Sequence, residues 1–165
     1  MNLYQIRNIL AQGKKLVDLP LCVTFYARVS TDHEEQLNSL ENQVMYFENY
    51  IKSQDNWTFV PGYVDEGISG TSVNKRDNFL KMINDAKRGK FNLILTKEIS
   101  RFSRNTVDSI KYTQELLANN VGVFFLNDNI NTFDSDSELR LTIMSSIAQD
   151  EIRKLSERIR FGYKR

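Results

Sequence analysis

Between residues 21 and 126 a short apolar run alternates with a stretch whose apolar residues fall at helical spacing, and this alternation constrains the fold more than any other feature. Strands joined by single helices pair in parallel through right-handed crossovers, and the helices then cover both faces of the sheet. The first run, Leu21 to Ala27 (LCVTFYA), is apolar throughout with β-branched and aromatic members, the pattern of a central strand buried on both faces. Further strands are expected at Trp57 to Val64, Phe91 to Thr96 and Val121 to Leu126. Helices are expected from Glu35 to Lys52 (Leu37, Leu40, Val44, Phe47, Tyr50, Ile51), around Phe79 to Ala86 ending at Arg88-Gly89, and from an Asn105 N-cap through Val107, Ile110, Leu116 and Leu117. The fold class is therefore α/β, a mainly parallel sheet with helices on both faces.

Two segments flank this unit. Residues 1–20 form an N-terminal extension in which Leu3, Ile6, Ile9 and Leu10 mark a short amphipathic helix stopped near Gly13, of no evident duty. Residues 137–165 read as one long helix, following a body at 21–136. Its apolar positions Leu141, Met144, Ala148, Ile152, Leu155 and Ile159 recur at three- and four-residue intervals, and the seam outlasts a globule of this size. The first half of that helix suits docking on its own sheet equally well. No C-cap or glycine stop stands at Tyr163-Lys164-Arg165, which reads as a helix cut short, with its continuation missing.

Charge separates the same regions. The chain totals +1, but residues 151–165 carry six basic side chains (Arg153, Lys154, Arg158, Arg160, Lys164, Arg165) against two acidic ones, and the remainder holds 16 basic against 19 acidic. A basic tail on a mildly acidic body points to polyanion contact, although a short charged stretch is often merely solvated. One cysteine and one histidine rule out a Cys/His zinc site and an internal disulfide framework. No apolar run approaches the roughly 20 residues of a membrane span, and the N-terminus lacks the form of a secretory signal. A cytoplasmic location is expected.

Ligands to parallel sheets gather at the strand C-termini, and two clusters fall there. Tyr26-Ala27-Arg28-Val29-Ser30-Thr31 ends the first strand, and an extended chain sends Arg28 and Ser30 to one side, a hydroxyl beside an anion-binding cation. Such a serine equally serves as a turn or cap residue. Arg101-Phe102-Ser103-Arg104 lies in a loop after the third strand, directly before a helix start, where guanidinium forks and free backbone N–H groups suit a phosphate. Each arginine singly is as well explained by a surface ion pair. Arg76 follows the glycine-containing segment Asp65 to Arg76, read as a mobile loop, and is a third cation. Serine with several arginines fits phosphoryl transfer better than acyl transfer, because guanidinium groups can stabilise the extra charge on a phosphodiester under attack, whereas an acyl-transfer serine needs a histidine base. His33 is the sole candidate for that base, and a local loop role explains it as well.

These motifs together resemble the serine site-specific recombinases, the resolvases, invertases and large serine integrases and transposases. The resemblance runs from about Val23 to Arg160 through YARVST, SLENQ (Ser39 to Gln43), DEGISG (Asp65 to Gly70), KEISRFSRNT (Lys97 to Thr106) and AQDEIRKLSER (Ala148 to Arg158), and looks most like the large subgroup, including recombinases of conjugative transposons. It implies a resolvase-like fold and a Ser30 nucleophile that forms a 5′-phosphoserine link to DNA and releases a 3′-hydroxyl, without a cofactor. It further implies Arg28, Arg76, Arg101 and Arg104 around the scissile phosphate, with Tyr26, Gln43, Asp65 and Ser100 in support. Small resolvases carry an acid where this chain has Ser100. The terminal helix resembles one that pairs subunits, here through Met144, Ala148, Ile152, Leu155 and Ile159, and then reaches the DNA minor groove with its basic residues. The partners implied are double-stranded DNA and copies of the chain, a homodimer on each site and a homotetramer during exchange, with a separate DNA-binding region beyond residue 165. Integration or excision of a mobile element is the expected reaction. Two other classes fit the same residues: a non-catalytic DNA-bound dimerisation module, and a metal-free small-molecule phosphatase.

Overall fold

A computed structural model describes residues 1–30, 34–67, 76–103, 106–144, 146, 147, 154, 157 and 158; for 29, 30, 34–39, 67 and 106 it describes the backbone alone. The element order is α1 (Leu3–Ala11), a 3-10 turn (Leu16–Asp18), β1 (Cys22–Ser30), α2 (Glu34–Lys52), β2 (Thr58–Phe59), β3 (Tyr63–Gly67), α3 (Asp77–Lys87), β4 (Leu93–Thr96), α4 (Ile99–Phe102), α5 (Thr106–Ala118), β5 (Gly122–Phe125) and β6 (Ile130–Asn131). A further helix, α6, occupies 137–144.

Among the described residues six strands form one sheet in the order β2-β1-β4-β5-β6, with β3 also on β1. All pairings are parallel except β5 with β6, which runs antiparallel and closes that edge. β1 is central. It meets β4 through Val23–Phe25, and β2 then β3 through Cys22–Val23 and Tyr26–Ser30.

Alternation along β1 divides the core in two. Val23, Phe25 and Ala27 face a cluster with Phe47 and Ile51 of α2, Leu93 and Leu95 of β4, and Ile6 of α1. Tyr26 faces the other cluster, with Phe79, Met82 and Ile83 of α3, Phe102 of α4, Leu116 of α5, and Ile94, Val123 and Phe125 of the sheet. β1 and β4 are thus apolar at successive positions because both sides are covered. Helix α1 is tied in: Ile6 is fully buried, the Leu3 N–H donates to Asn120 Oδ1 at 2.9 Å and Arg7 Nε to the Phe133 carbonyl at 2.9 Å.

Three expectations need correction. The strand expected across Trp57 to Val64 is broken at Pro61-Gly62, where proline has no N–H for the ladder and the register against β1 slips by one residue. A Cβ on Gly62 would lie 2.3 Å from the Phe25 ring, so only glycine lets the chain pass. Asp65, Glu66 and Gly67 belong to β3 rather than to a mobile loop, because β1 runs on to Ser30 and gives them a partner. The loop expected at Lys97 to Arg104 contains α4, whose first N–H groups include that of Ile99, capped by Asp128 Oδ2 at 3.0 Å.

In α6 Leu141 is buried on its own domain at 1% exposure, whereas Leu139, Ile143 and Met144, with Ile147 just beyond, are 40–65% exposed; the expected seam from Ala148 onward lies outside the described residues. Among the described residues no helix is long and apolar enough to cross a membrane.

Candidate active site

The C-terminal ends of β1, β3 and β4 converge with the starts of α3 and α4, and of the sequence-selected residues Tyr26, Asp65 and Arg76 meet there on the α3 side, next to α4, which carries Arg101. Asp65 is the organising group. It is 4% exposed, in the middle of β3, and accepts three hydrogen bonds: from the Tyr26 hydroxyl to Oδ2 (2.8 Å), from the Phe79 N–H to Oδ2 (3.0 Å) and from the Asn78 N–H to Oδ1 (3.0 Å). Two of these donors are free N–H groups in the first turn of α3, whose own N-cap, Arg76, contributes no side-chain cap. A carboxylate from β3 therefore caps α3 and meets its positive end, each charge-assisted bond worth roughly 1.5–3 kcal/mol. Asn78 returns the contact through Nδ2 to the Val64 carbonyl, 2.6 Å.

Burial pushes the Tyr26 phenol well above its ordinary value; Arg76 opposes this, and the hydrogen bond to Asp65 reinforces it. Tyr26 thus stays neutral and donates, so it orients Asp65 and does not act as a base.

Arg76 is held by its flat face and one nitrogen. Its Cζ lies 3.8 Å from the Phe79 ring centroid and 5.7 Å from that of Tyr26, and Nη2 donates to the Phe102 carbonyl at the last turn of α4. That carbonyl is among those a helix end leaves unpaired. Arg101 sits in the same last turn of α4 and not in a loop before a helix start. The Nε atoms of Arg76 and Arg101 are buried and have no hydrogen-bond partner in the described residues, and the ion pairs seen there, Lys87–Glu115 and Lys90–Asp85, involve neither. Guanidinium N–H groups can only donate, so two buried donors with no carboxylate opposite them among the described residues are complementary to an anion.

The remaining residues are placed as follows. Arg28 is half-buried and pairs in register with Asp65; Ser30 ends β1 and pairs with Gly67, its side chain lying outside the described residues. Arg104 and His33 lie outside the described residues altogether. Ser100 is exposed and donates to Glu98 Oε2 at 3.2 Å, while Asn127 Nδ2 donates to Glu98 Oε1 at 3.3 Å. Gln43 is half-buried on α2, the helix that covers the opposite face of the sheet. Lys154 and Arg158 are helical and exposed; Ala148, Arg153, Ile152, Leu155, Ile159, Arg160, Lys164 and Arg165 lie outside the described residues.

Sequence reasoning missed the capping duty of Asp65. The available signal was the absence of Ser, Thr, Asp or Asn at the α3 N-cap, which requires an acceptor from elsewhere. It also missed Thr96, fully buried at the end of β4 with its Oγ1 unpartnered among the described residues.

The family model for the resolvase N-terminal domain matches residues 23–165. The R46 site-specific recombinase of Escherichia coli is 32% identical over 154 residues, 85% of this chain and 73% of that protein. The transposon Tn3 resolvase of Klebsiella pneumoniae is 31% identical over 139 residues, 83% and 67% of the two chains. Among solved structures, a resolvase family site-specific recombinase from Streptococcus pneumoniae superposes with a TM-score of 0.63 at 29% identity, covering 86% of this chain and 95% of that one. The N-terminal catalytic domain of TP901-1 integrase gives 0.51 at 29% identity, covering 81% and 97%. The two core faces, the parallel sheet and the arginine cluster at its C-terminal end thus have a common source: the chain belongs to the resolvase family, as a catalytic domain of the serine recombinase type.

Proposed function

We propose that this domain cuts and rejoins double-stranded DNA through a covalent serine intermediate. The observation that carries the reading is the pair of buried arginine Nε–H groups, on Arg76 and Arg101, without carboxylate partners among the described residues. The Ser30 oxygen attacks a phosphodiester in line with the 3′-oxygen. A P–O bond to serine forms, the P–O3′ bond breaks, the serine proton departs and the 3′-oxygen gains one. One phosphodiester replaces another, so bond energy is kept for rejoining without ATP. Arg28, Arg76, Arg101 and Arg104 stabilise the charge on the nonbridging oxygens of the five-coordinate phosphorus, and Tyr26 with Asp65 holds the start of α3, and so Arg76, in place.

Two copies meet on each DNA site, and four during exchange, through the terminal helix. The exposed residues Leu139, Ile143, Met144 and Ile147 support this, since they face away from the domain's own core at the start of the segment whose sequence carries the basic residues. Arg153, Lys154, Arg158, Arg160, Lys164 and Arg165 then approach the phosphate backbone. The reaction is integration or excision of a mobile element.

The test is to trap the adduct between the full-length protein and its recombination site and map the modified peptide. Phosphate on Ser30 is the expected result. A modified tyrosine or another serine, or no adduct under conditions that cleave DNA, overturns the mechanism.

A further inference from the structure

Thr96 ends β4 with no exposed surface, and its Oγ1 has no hydrogen-bond partner among the described residues. A hydroxyl buried in this way destabilises the fold, and valine would fill the same space without the penalty. Other buried threonines are satisfied: Thr24 donates to the Pro61 carbonyl (3.0 Å), Thr113 to that of Ser109 (2.8 Å), and Thr132 accepts from the Val123 N–H (2.8 Å). Thr96 stands apart from them, and it stands at the site.

Leu93 and Leu95 face the α2 side and Ile94 the α3 side, so alternation turns Thr96 towards the α3 side. Its partner in the β4–β5 ladder is Phe125, and the step beyond the Phe25–Leu95 pair puts Tyr26 next to it on β1. The ring of Phe102 in α4 lies 5.5 Å from that of Phe125 and 5.1 Å from that of Phe79. Thr96 thus ends its strand on the face of the sheet that Phe102 of α4 covers, and α4 carries Arg101, whose buried Nε–H has no acceptor among the described residues. One orphan can accept and the other can only donate.

We propose that Thr96 is a positioning residue for the arginine cluster. With a phosphate group bound, Oγ1 accepts a hydrogen bond from Arg101 Nε–H, directly or across one buried water, and this fixes the plane of the guanidinium so that its two Nη groups meet the phosphate oxygens. The inference rests on the phosphodiester reading above and deepens it by naming what aims Arg101.

The test follows the arginine Nε–H signals of the 15N-labelled chain by NMR as inorganic phosphate is added, with Arg101→Lys assigning the Arg101 signal. In the unsubstituted chain that signal shifts and its exchange with water slows. Thr96→Val is expected to weaken phosphate binding about tenfold, the worth of one charge-assisted hydrogen bond, and to leave Nε–H exchange fast, with a melting temperature equal to or above the parent's. Thr96→Ser restores binding and protection. Phosphate binding by Thr96→Val at parental affinity with Arg101 equally protected overturns the proposal. So does a drop in melting temperature shared by the valine and serine variants, which marks a packing role alone. No response of Arg101 to phosphate in the unsubstituted chain overturns the phosphate pocket itself. Adduct mapping at Ser30 does not depend on Thr96, so the two readings fail separately.

Discussion

The two faces of the central sheet are built from alternate residues of the same strands, yet they do different work. The face under α1 and α2 is mainly apolar, with Phe25 stacked on Phe47 at 5.2 Å and with Ile6, Val23, Ile51, Leu93 and Leu95 buried around them. The face under α3, α4 and α5 mixes Tyr26, Phe79 and Phe102 with buried Asp65, Asp85, Thr96 and Ser103. Burying polar groups costs stability unless each is paired, so a small domain that concentrates them on one face needs the other to supply cohesion. The sealed face supplies the cohesion around β1 and β4, and the mixed face spends part of that stability on a site.

Breaking the sealed face should give the largest effect. Phe25→Ala removes a ring packed against Phe47, Phe59 and the Gly62 backbone, and is expected to cost about 3–5 kcal/mol in urea unfolding. A loss below about 1 kcal/mol would mean that this face is not the cohesive one. Arg101→Ala on the mixed face should do the converse: DNA cleavage by the full-length protein falls by about 10²–10³-fold while the urea midpoint stays unchanged. Near-normal cleavage would remove Arg101 from the phosphate pocket.

Asp65→Asn sharpens the comparison, because it keeps the shape and removes the charge that caps α3. Roughly 1–3 kcal/mol of stability should be lost, and the Tyr26 phenol should titrate closer to an ordinary tyrosine in a tyrosinate absorbance titration. An unchanged titration would show that Asp65 does not hold Tyr26.

The smallest effects are in the pH dependence of the mixed face. The hydrogen bond from Tyr63, 2.5 Å, holds the Asp85 carboxyl below its ordinary value, with Lys90 at 3.3 Å assisting. A depressed carboxyl pKa contributes stability above the unfolded value near 4, and this is lost as pH falls through the folded value. Tyr26 and Tyr63 are raised chiefly by burial, so their contribution is complete below about pH 10 and is lost as pH rises beyond it. Tyr63→Phe should flatten the acid limb of a stability–pH curve; an unchanged limb would remove Asp85 from the account.

Much of the two-faced sheet is legible in the sequence, since LCVTFYA and FNLILT are apolar at successive positions and only a doubly covered strand has that property. The site was legible as residue types at strand ends, but its construction was not. Asp65 sits among residues of turn-forming composition, and only the continuation of β1 to Ser30 recruits it into a strand. Helix α4 has four residues, too few for a periodic signal, and it exists because Asp128 caps Ile99 from 29 residues away. β6 is two residues long and is held by its ladder with β5. Elements made by long-range partners leave little local trace.

The central claim, that the mixed face serves a serine nucleophile at the end of β1, is tested most directly by incubating the full-length protein and its Ser30→Ala variant with the recombination site and assaying covalent protein–DNA adduct under denaturing conditions. An adduct through a 5′-phosphate is expected with the parent protein and none with the variant, at equal folded content. An adduct formed by Ser30→Ala would contradict that claim.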